Sequence, residues 1–367
     1  MYTIANIRPL GYNIGNHAIN FALRHMLYET FGRLVSVIDY PATSRHESTA
    51  KAGLTSATVF EINRFADGVI IGGGNLFEND EIAVDPSALR SLQPPMMMFS
   101  NSRGRIFDRH GRLSDRSDVI PDAKLHVLLD RADISLSRDS ATHAHLAAIN
   151  DKDELGWCPT INLNRYDANL PVLPDREEVG ALISVRTPGL MNVPYRHQSA
   201  VQAHIDLAID TLREVGHKRI RILCNDSRDL DFATAFRYTK GVDSVYTNDV
   251  YQYLALIKNA DIVVSYRLHA TLPAISYGTP TVNIVYDERS KSLCDDLGLG
   301  DASLNMVEMG EAFTPALTKV IRTGGYTAED HAVLKPQWTE IGKAQFKALE
   351  RLKEMMHGYV ETGHIPR

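Results

Sequence analysis

The stretch "ADIVVSYRLHATLPAISYGTPTVNIVY", residues 260–286, contains the features that decide the fold. Its short run of β-branched residues at 262–264 predicts a buried strand. The following segment predicts a short helix, with Pro273 in its first turn and Gly278 at its end. Residues 281–286 then restore the strand pattern. A strand, a helix and a strand in this order indicate a βαβ unit.

The first junction of this unit carries Arg267 and His269, with Leu268 between them. A helix N-terminus has unpaired backbone N–H groups and a partial positive charge, so a cation and a protonatable group beside it indicate an anion site. A structural interpretation is equally open, in which the arginine caps the sheet and the histidine is merely buried.

The alternation of strands and helices continues on both sides of this unit. In the first half we predict strands at 2–7, 34–40, 68–71, 96–100 and 132–137, and helices at 16–31, with Asn16 as N-cap, and at 140–150. In the second half we predict further strands at 179–185, 219–224 and 244–247, and helices at 198–215 and 248–259. The expected fold class is therefore α/β, with two tandem doubly wound Rossmann-like domains. Ligands bind such domains outside the carboxyl ends of the strands, so the site should lie in a cleft between them.

The pattern breaks at residues 165–178, where two prolines and clustered charges predict an interdomain linker. We therefore expect a first domain over 1–168, a second over 178–335 and a closing C-terminal helix over 336–367.

Composition excludes several classes of protein. The 367 residues carry a formal charge of −6 and are 44% hydrophobic, which is typical of a globular protein and gives no basic excess for binding nucleic acid. The 3 cysteines are scattered, which favours a reducing compartment over a disulfide framework or a zinc cluster. Because the sequence shows no signal peptide and no apolar run long enough to span a bilayer, we expect a cytoplasmic protein.

Two glycine-containing segments follow predicted strands in the first half. In "GYNIGNHA", residues 11–18, the backbone near Asn13 and Gly15 could hold a phosphate or a sugar hydroxyl. In "IIGGGNLFEND", residues 70–80, Gly73, Gly74 and Asn75 would permit close approach of a ligand. Neither segment has the spacing of a dinucleotide or P-loop site, and plain turns explain both nearly as well.

Three further features carry charge. Arg138 leaves a strand in "ISLSRDSAT", residues 134–142, and no capping role accounts for it, whereas Asp139 is a good N-cap. Lys291 follows the last strand of the opening stretch by about one helical turn. Residues 102–118 mix five arginines with three aspartates, which predicts either a solvated loop or a mobile lid.

The sequence resembles the polysaccharide pyruvyl transferase family over roughly residues 10–300. The resemblance lies in the order and spacing of four segments, which are 11–18, 70–80, 134–142 and the opening stretch. The resemblance implies a two-domain fold of the glycosyltransferase-B type, with the acceptor on the first domain and the donor on the second. It also implies transfer of pyruvate from phosphoenolpyruvate onto a sugar as a ketal, with no metal and no further cofactor. The expected catalytic residues are His269, as acid and base, and Arg138; the expected substrate-binding residues are Arg267, Leu268, Lys291, Asn13, Gly15, Gly73, Gly74 and Asn75.

One residue departs from the family pattern, since Asn16 stands where the family usually has aspartate, and any charge role there is in doubt. The acceptor would be a sugar or oligosaccharide, either free or carried on a lipid at the inner face of the membrane. Two alternatives stay open: a glycosyltransferase of the same fold that uses a nucleotide sugar, and a non-catalytic protein that binds anionic sugars.

Overall fold

The computed structural model describes residues 1–45, 51–173 and 179–362. Its strands, all of them short, are β1 (Tyr2–Arg8), β2 (Val35–Pro41), β3 (Gly68–Ile71), β4 (Met96–Asn101), β5 (Ile106–Phe107), β6 (Leu113–Ser114), β7 (Ile134–Ser137), β8 (Asp153–Leu155), β9 (Ala181–Val185), β10 (Ile220–Cys224), β11 (Asp243–Tyr246), β12 (Ile262–Ser265), β13 (Thr281–Val285) and β14 (Ser303–Asn305).

The helices connect these strands and cover the faces of the sheets. They are α1 (Ile14–Thr30), α2 (Ser56–Phe65), α3 (Pro86–Arg90), α4 (Asp122–Arg131), α5 (Ser140–Ile149), α6 (Tyr195–Glu214), α7 (Leu230–Lys240), α8 (Val250–Lys258), α9 (Leu268–Ser276), α10 (Glu288–Asp296), α11 (Phe313–Arg322) and α12 (Ala328–Glu361). Within the described ranges, no helix has the length and apolar composition needed to cross a membrane.

Two six-stranded parallel sheets form the framework. The first has the order β2-β1-β3-β4-β7-β8, and the second has the order β11-β10-β9-β12-β13-β14. Each order reverses direction once, which is the doubly wound arrangement, so the predicted fold class is confirmed. The domain boundaries themselves stay a prediction, and residues 174–178 of the predicted linker lie outside the described residues. The linker's earlier part overlaps a 3-10 helix at Pro159–Asn169.

The two halves share a hydrophobic core. One cluster of buried side chains contains Phe21 and Leu23 of α1 together with Tyr253 and Leu254 of α8 and Ala270 of α9. Helix α1 therefore packs directly against the second half. A backbone hydrogen bond from Ile14 N–H to the Asn225 carbonyl, 2.9 Å long, fixes the start of α1 on the end of β10.

Two predicted helix starts are corrected by the structure. Helix α1 begins at Ile14 rather than at residue 16, because the Asn13 side chain accepts the Gly15 N–H and is the N-cap, while Asn16 lies in the first turn. Pro273 is the sixth residue of α9 and not in its first turn. The predicted end of this helix is right, since Gly278 has φ +72° and donates to the Ile275 carbonyl.

The closing helix begins earlier than predicted, and residues 363–367 of the predicted range lie outside the described residues. It begins at Ala328, behind a capping box made by Thr327 and Asp330, and it continues through Pro336. Its C-terminal part returns to the first half, where Lys353 donates to the Thr30 carbonyl at 2.7 Å.

The segment 102–118 contains a short hairpin between irregular stretches, and several of its residues are exposed. Its strands β5 and β6 form an antiparallel hairpin. Phe107 is buried in the hydrophobic core of the second half, and Arg105 forms an ion pair with Glu288 at the start of α10. The hairpin therefore ties the first half to the second, and whether it opens as a lid stays a prediction.

We predict that Phe107→Ala lowers the free energy of unfolding by about 3 kcal/mol, because the ring is 4% exposed and leaves a cavity. The matched control is Phe60→Ala on α2, where the ring is 65% exposed and the change should stay within about 0.5 kcal/mol. Denaturant unfolding measures both variants, and equal values would contradict the docking of the hairpin.

Candidate active site

One cavity of about 430 Å³ lies where the carboxyl ends of both sheets meet. Several of its lining residues directly follow strands: Pro9 after β1, Arg186 after β9, Asn225 after β10 and Tyr286 after β13. The expected cleft at the strand ends is therefore present, with walls from both halves.

The cavity wall carries more positive than negative side chains. Among the described residues that line it, there are six arginines and four carboxylates: Arg45, Arg116, Arg186, Arg228, Arg267, Arg289, Glu78, Glu81, Asp118 and Asp287. This excess of positive charge in a recess suits an anionic ligand.

Arg267 lines the cavity from the N-cap position of α9. Its Nε donates to the Val185 carbonyl at 2.9 Å, and its guanidinium forms an ion pair with the buried carboxylate of Asp229. The arginine thus does tie strand ends together, as the structural interpretation supposed. It also lines the cavity, so both interpretations describe part of its position.

His269 lines the same cavity, beside Leu268, and is 7% exposed. Burial and then the charge of Arg138 hold its pKa well below 6.5, with Arg289 and Arg267 adding to the effect. The imidazole is therefore neutral at pH 7. Its Nε2 faces the Cys158 thiol at 3.8 Å. A Cβ at Gly15 would lie 2.7 Å from the His269 Cβ, so glycine at this position allows α1 to approach the histidine.

The backbone of His269 is held by a residue that the sequence does not reveal. Pro273 has no N–H, so it cannot donate to the His269 carbonyl four residues earlier. The hydroxyl of Tyr253 donates to that carbonyl instead, at 2.8 Å, and accepts a hydrogen bond from Asn225 at 2.6 Å. Asn225 in turn accepts from the Ser184 hydroxyl at 2.7 Å. A chain of three buried polar residues therefore fixes the histidine.

Arg138 lies behind the cavity and does not line it. It is fully buried, one nitrogen donates to the Ser102 hydroxyl, and its Nε and Nη1 have no partner among the described residues. Burial and then the charge of Arg289 lower its pKa. The side chain acts on His269 through its charge in this structure, while contact with a substrate stays a prediction. Asp139 is the N-cap of α5, as expected.

The cation that α10 contributes to the cavity is Arg289 and not Lys291. Lys291 is 39% exposed on its side chain and lies 3.7 Å from Asp295 and 3.9 Å from Glu308, outside the cavity. Arg289 donates to Asn75 at 2.8 Å, forms an ion pair with Glu78, and donates to Asp287 at 2.7 Å. Arg289 and Lys291 are two residues apart on α10, and residues with this spacing lie on different faces of a helix. The sequence alone therefore could not show which of the two faces the cavity.

The glycine segments occupy supporting positions. Asn13 and Asn75 line the cavity, whereas Gly73 and Gly74 do not. A Cβ at Gly73 would lie 2.7 Å from the Ser100 carbonyl oxygen, and Gly74 has φ +132°, so both positions require glycine for backbone packing. Contact of either glycine with a ligand stays a prediction.

Asn16 lines the cavity and is 7% exposed, with no partner for its carbonyl oxygen among the described residues. This oxygen can accept a hydrogen bond from a ligand hydroxyl.

Three more charged residues at this site were missed by the sequence analysis: Arg186, Arg228 and Asp226. The signal that could have found Arg186 is its place, one residue after a predicted strand. Across the described ranges, no group of three or more histidine, cysteine and acidic side chains is arranged to hold a metal ion. The metal-free reaction stays an expectation.

Comparisons with known proteins agree with the sequence resemblance and with this architecture. The family model for polysaccharide pyruvyl transferase matches residues 13–288, from the N-cap of α1 to the start of α10. A search of curated proteins finds no match.

Among solved structures, the UDP-GlcNAc 2-epimerase of Neisseria meningitidis bound to UDP-GlcNAc has a TM-score of 0.54 and is 10% identical, covering 92% of this chain and 99% of the other. The UDP-N-acetylglucosamine 2-epimerase of Rickettsia bellii has a TM-score of 0.52 and is 12% identical, covering 96% and 98%. At these identities the likeness shows the fold alone, which is of the glycosyltransferase-B type.

We predict that the stability of the protein depends on pH through His269. Its folded pKa is below the unfolded value of 6.5, so the unfolded state binds the proton more readily and stability falls as the pH falls below about 6.5. The loss approaches about 1.4 kcal/mol per pH unit for one such group. In His269→Gln, which does not titrate, the free energy of unfolding should fall less between about pH 7.5 and about pH 5. Denaturant unfolding at each pH measures this, and parallel curves for the two proteins would contradict the assigned burial.

We also predict that Tyr253→Phe lowers the free energy of unfolding by about 2 kcal/mol or more, because the His269 carbonyl and the Asn225 amide both lose a buried partner. Tyr266→Phe is the matched control. Its ring is equally buried, but its hydroxyl has no hydrogen-bond partner in the described part of the chain, so the change should be near zero or stabilising. Similar losses in both variants would refute the proposed role of the Tyr253 hydroxyl.

Proposed function

Because the chain belongs to the polysaccharide pyruvyl transferase family, we propose that it transfers pyruvate from phosphoenolpyruvate to a sugar of a polysaccharide or oligosaccharide precursor, forming a ketal. Transferase activity follows from the family; the donor and the ketal product are our proposal. The observation that supports it is the position of Arg267 and His269 together on the wall of one cation-rich cavity.

Phosphoenolpyruvate carries a phosphate and a carboxylate on one carbon, and two anionic groups require more than one cation. Guanidinium groups suit both, because each can donate two parallel hydrogen bonds to an oxyanion. Arg267 is oriented for this by Asp229, and Arg289 adds to the positive charge of the same cavity from α10. Arg138 remains a catalytic candidate, because two of its nitrogens have no partner among the described residues and its charge lowers the pKa of His269 after burial does.

His269 is the proposed acid and base. Its lowered pKa makes it neutral at pH 7, and bound anions would raise this pKa, so the donor would enter together with a proton. That proton goes to the methylene carbon of the donor, and an acceptor hydroxyl attacks the adjacent carbon and returns its own proton to His269. The phosphate leaves with the electrons of the C–O bond. A second hydroxyl of the acceptor closes the ketal ring, and its proton goes to the released phosphate.

The acceptor would occupy the part of the cavity formed by the first half. Asn13, Asn16, Asn75 and Asn79 line this part, and amide groups can bind sugar hydroxyls both as donors and as acceptors. The family implies a sugar acceptor. We extend this to a precursor that is either free in the cytoplasm or carried on a lipid at the inner face of the membrane.

We predict that the protein converts an oligosaccharide to a product heavier by one pyruvate less one water when phosphoenolpyruvate is supplied. Mass spectrometry on a panel of oligosaccharides measures this. A gain of one hexose from a nucleotide sugar would favour a glycosyltransferase instead. Binding of the donor with no product from any acceptor would favour a non-catalytic sugar-binding protein.

His269→Gln tests the proton transfer, since glutamine forms hydrogen bonds but does not shuttle protons. We expect product formation to fall by about 100-fold or more, with donor affinity largely kept. The matched control is His204→Gln on α6, where a partly buried histidine packs on Phe313 away from the cavity, and activity should be unchanged. An active His269→Gln enzyme would exclude the histidine as acid and base.

A further inference from the structure

Arg186 and Arg267 occupy equivalent positions on neighbouring strands. Strands β9 and β12 pair in parallel with Ser184 opposite Ser265, and each arginine lies two residues beyond its serine. Both side chains line the cavity. The second sheet reverses its direction between β9 and β12, and this reversal point is where doubly wound folds bind ligands.

The two arginines differ in how firmly their charges are paired. Arg267 forms a close ion pair with Asp229, which also accepts hydrogen bonds from the Thr187 N–H at 2.9 Å and hydroxyl at 3.0 Å. For Arg186, the nearest carboxylate oxygen among the described residues belongs to Asp226, 3.7 Å away, and its Nε donates to the Leu190 carbonyl at 3.3 Å. Both contacts of Arg186 are long.

Asp226 is also already occupied by another arginine. Arg228 donates to it from its backbone N–H at 3.0 Å, from Nε at 2.9 Å and from Nη2 at 2.5 Å. The arginines Arg186, Arg228 and Arg267 thus share two buried carboxylates, and one positive charge is left over. Burial, followed by the charge of Arg267, lowers the pKa of Arg186 to about 10, which agrees with an incompletely compensated cation.

We propose that Arg186 binds one anionic group of the donor while Arg267 binds the other, so that two arginines of the second half form a donor clamp. This inference rests on the proposed function. Lys291, which was expected to bind the substrate, does not line the cavity, and neither does Arg138. Two guanidinium groups side by side match the phosphate and carboxylate of phosphoenolpyruvate, and they place the donor next to His269.

Calorimetric titration of phosphoenolpyruvate into the full-length protein tests the clamp. Arg186→Gln should weaken binding by about 30-fold or more, as expected for loss of one charge-assisted pair in a recessed site. Arg186→Lys should recover only part of this, since an ammonium group lacks the planar fork, and it provides the measurement if the glutamine variant does not fold.

The matched control is Arg116→Gln, which removes the same charge from the opposite wall of the cavity. Arg116 already donates two hydrogen bonds to Asp118, both 2.8 Å long, so its loss should weaken binding by less than about 5-fold. Equal weakening by the Arg186 and Arg116 variants would overturn the clamp in favour of a general charge effect. Wild-type affinity in both Arg186 variants would also overturn it and would leave the proposed function standing. No binding of phosphoenolpyruvate by the wild-type protein would refute the proposed donor itself.

Discussion

The site depends on positive charges that are held out of water around a single histidine. Burial and then the charges of Arg138, Arg289 and Arg267 depress the pKa of His269, and each arginine is buried or lies deep in the cavity wall. Removing a cation from water is costly unless a counter-charge or hydrogen bonds replace the lost solvation. Asp229 and Glu78 provide this for two of the arginines. The remaining excess favours an anion in the cavity, which would stabilise the arginines and allow the histidine to take up a proton.

The contacts between the two halves are also the contacts that shape the site. Arg289 bridges from α10 to Asn75 and Glu78 of the first half, and Ile14 at the start of α1 is bound to Asn225. Asn225 is at the same time part of the hydrogen-bond chain that ends on His269. A change in the relative position of the halves would therefore change the cation arrangement and the support of the histidine together.

Much of this architecture could be predicted from local sequence patterns. Runs such as residues 262–264 are short, apolar and β-branched, which is what a strand buried on both faces of a parallel sheet requires, and the structure places β12 there. The position of Arg267 and His269 could also be predicted, because the residues that follow a strand in this fold lie at the edge of the sheet where ligands bind. Arg267, Leu268 and His269 do line one cavity.

The errors came from contacts between distant parts of the chain. Pro273 was placed in the first turn of its helix because a proline inside a helix leaves a carbonyl unpaired, and only the distant Tyr253 hydroxyl makes the observed position acceptable. Likewise, the segment 102–118 contains many charges, yet Phe107 anchors it in the core of the other half. Propensity and charge describe a segment on its own, whereas these positions depend on partners that only the folded chain brings near.

An uncharged residue at position 16 affects the electrostatics of the cavity. The residue lies in the first turn of α1 and lines the cavity, at a position where the sequence resemblance implies an aspartate in the family. An aspartate there would bring a negative charge to the wall that faces His269 and its arginines, and would oppose the neutral state of the histidine. Asparagine keeps a hydrogen-bond acceptor and leaves the positive excess of the cavity intact. The position therefore suits the recognition of a polar group, which in our proposal is a hydroxyl of the acceptor sugar.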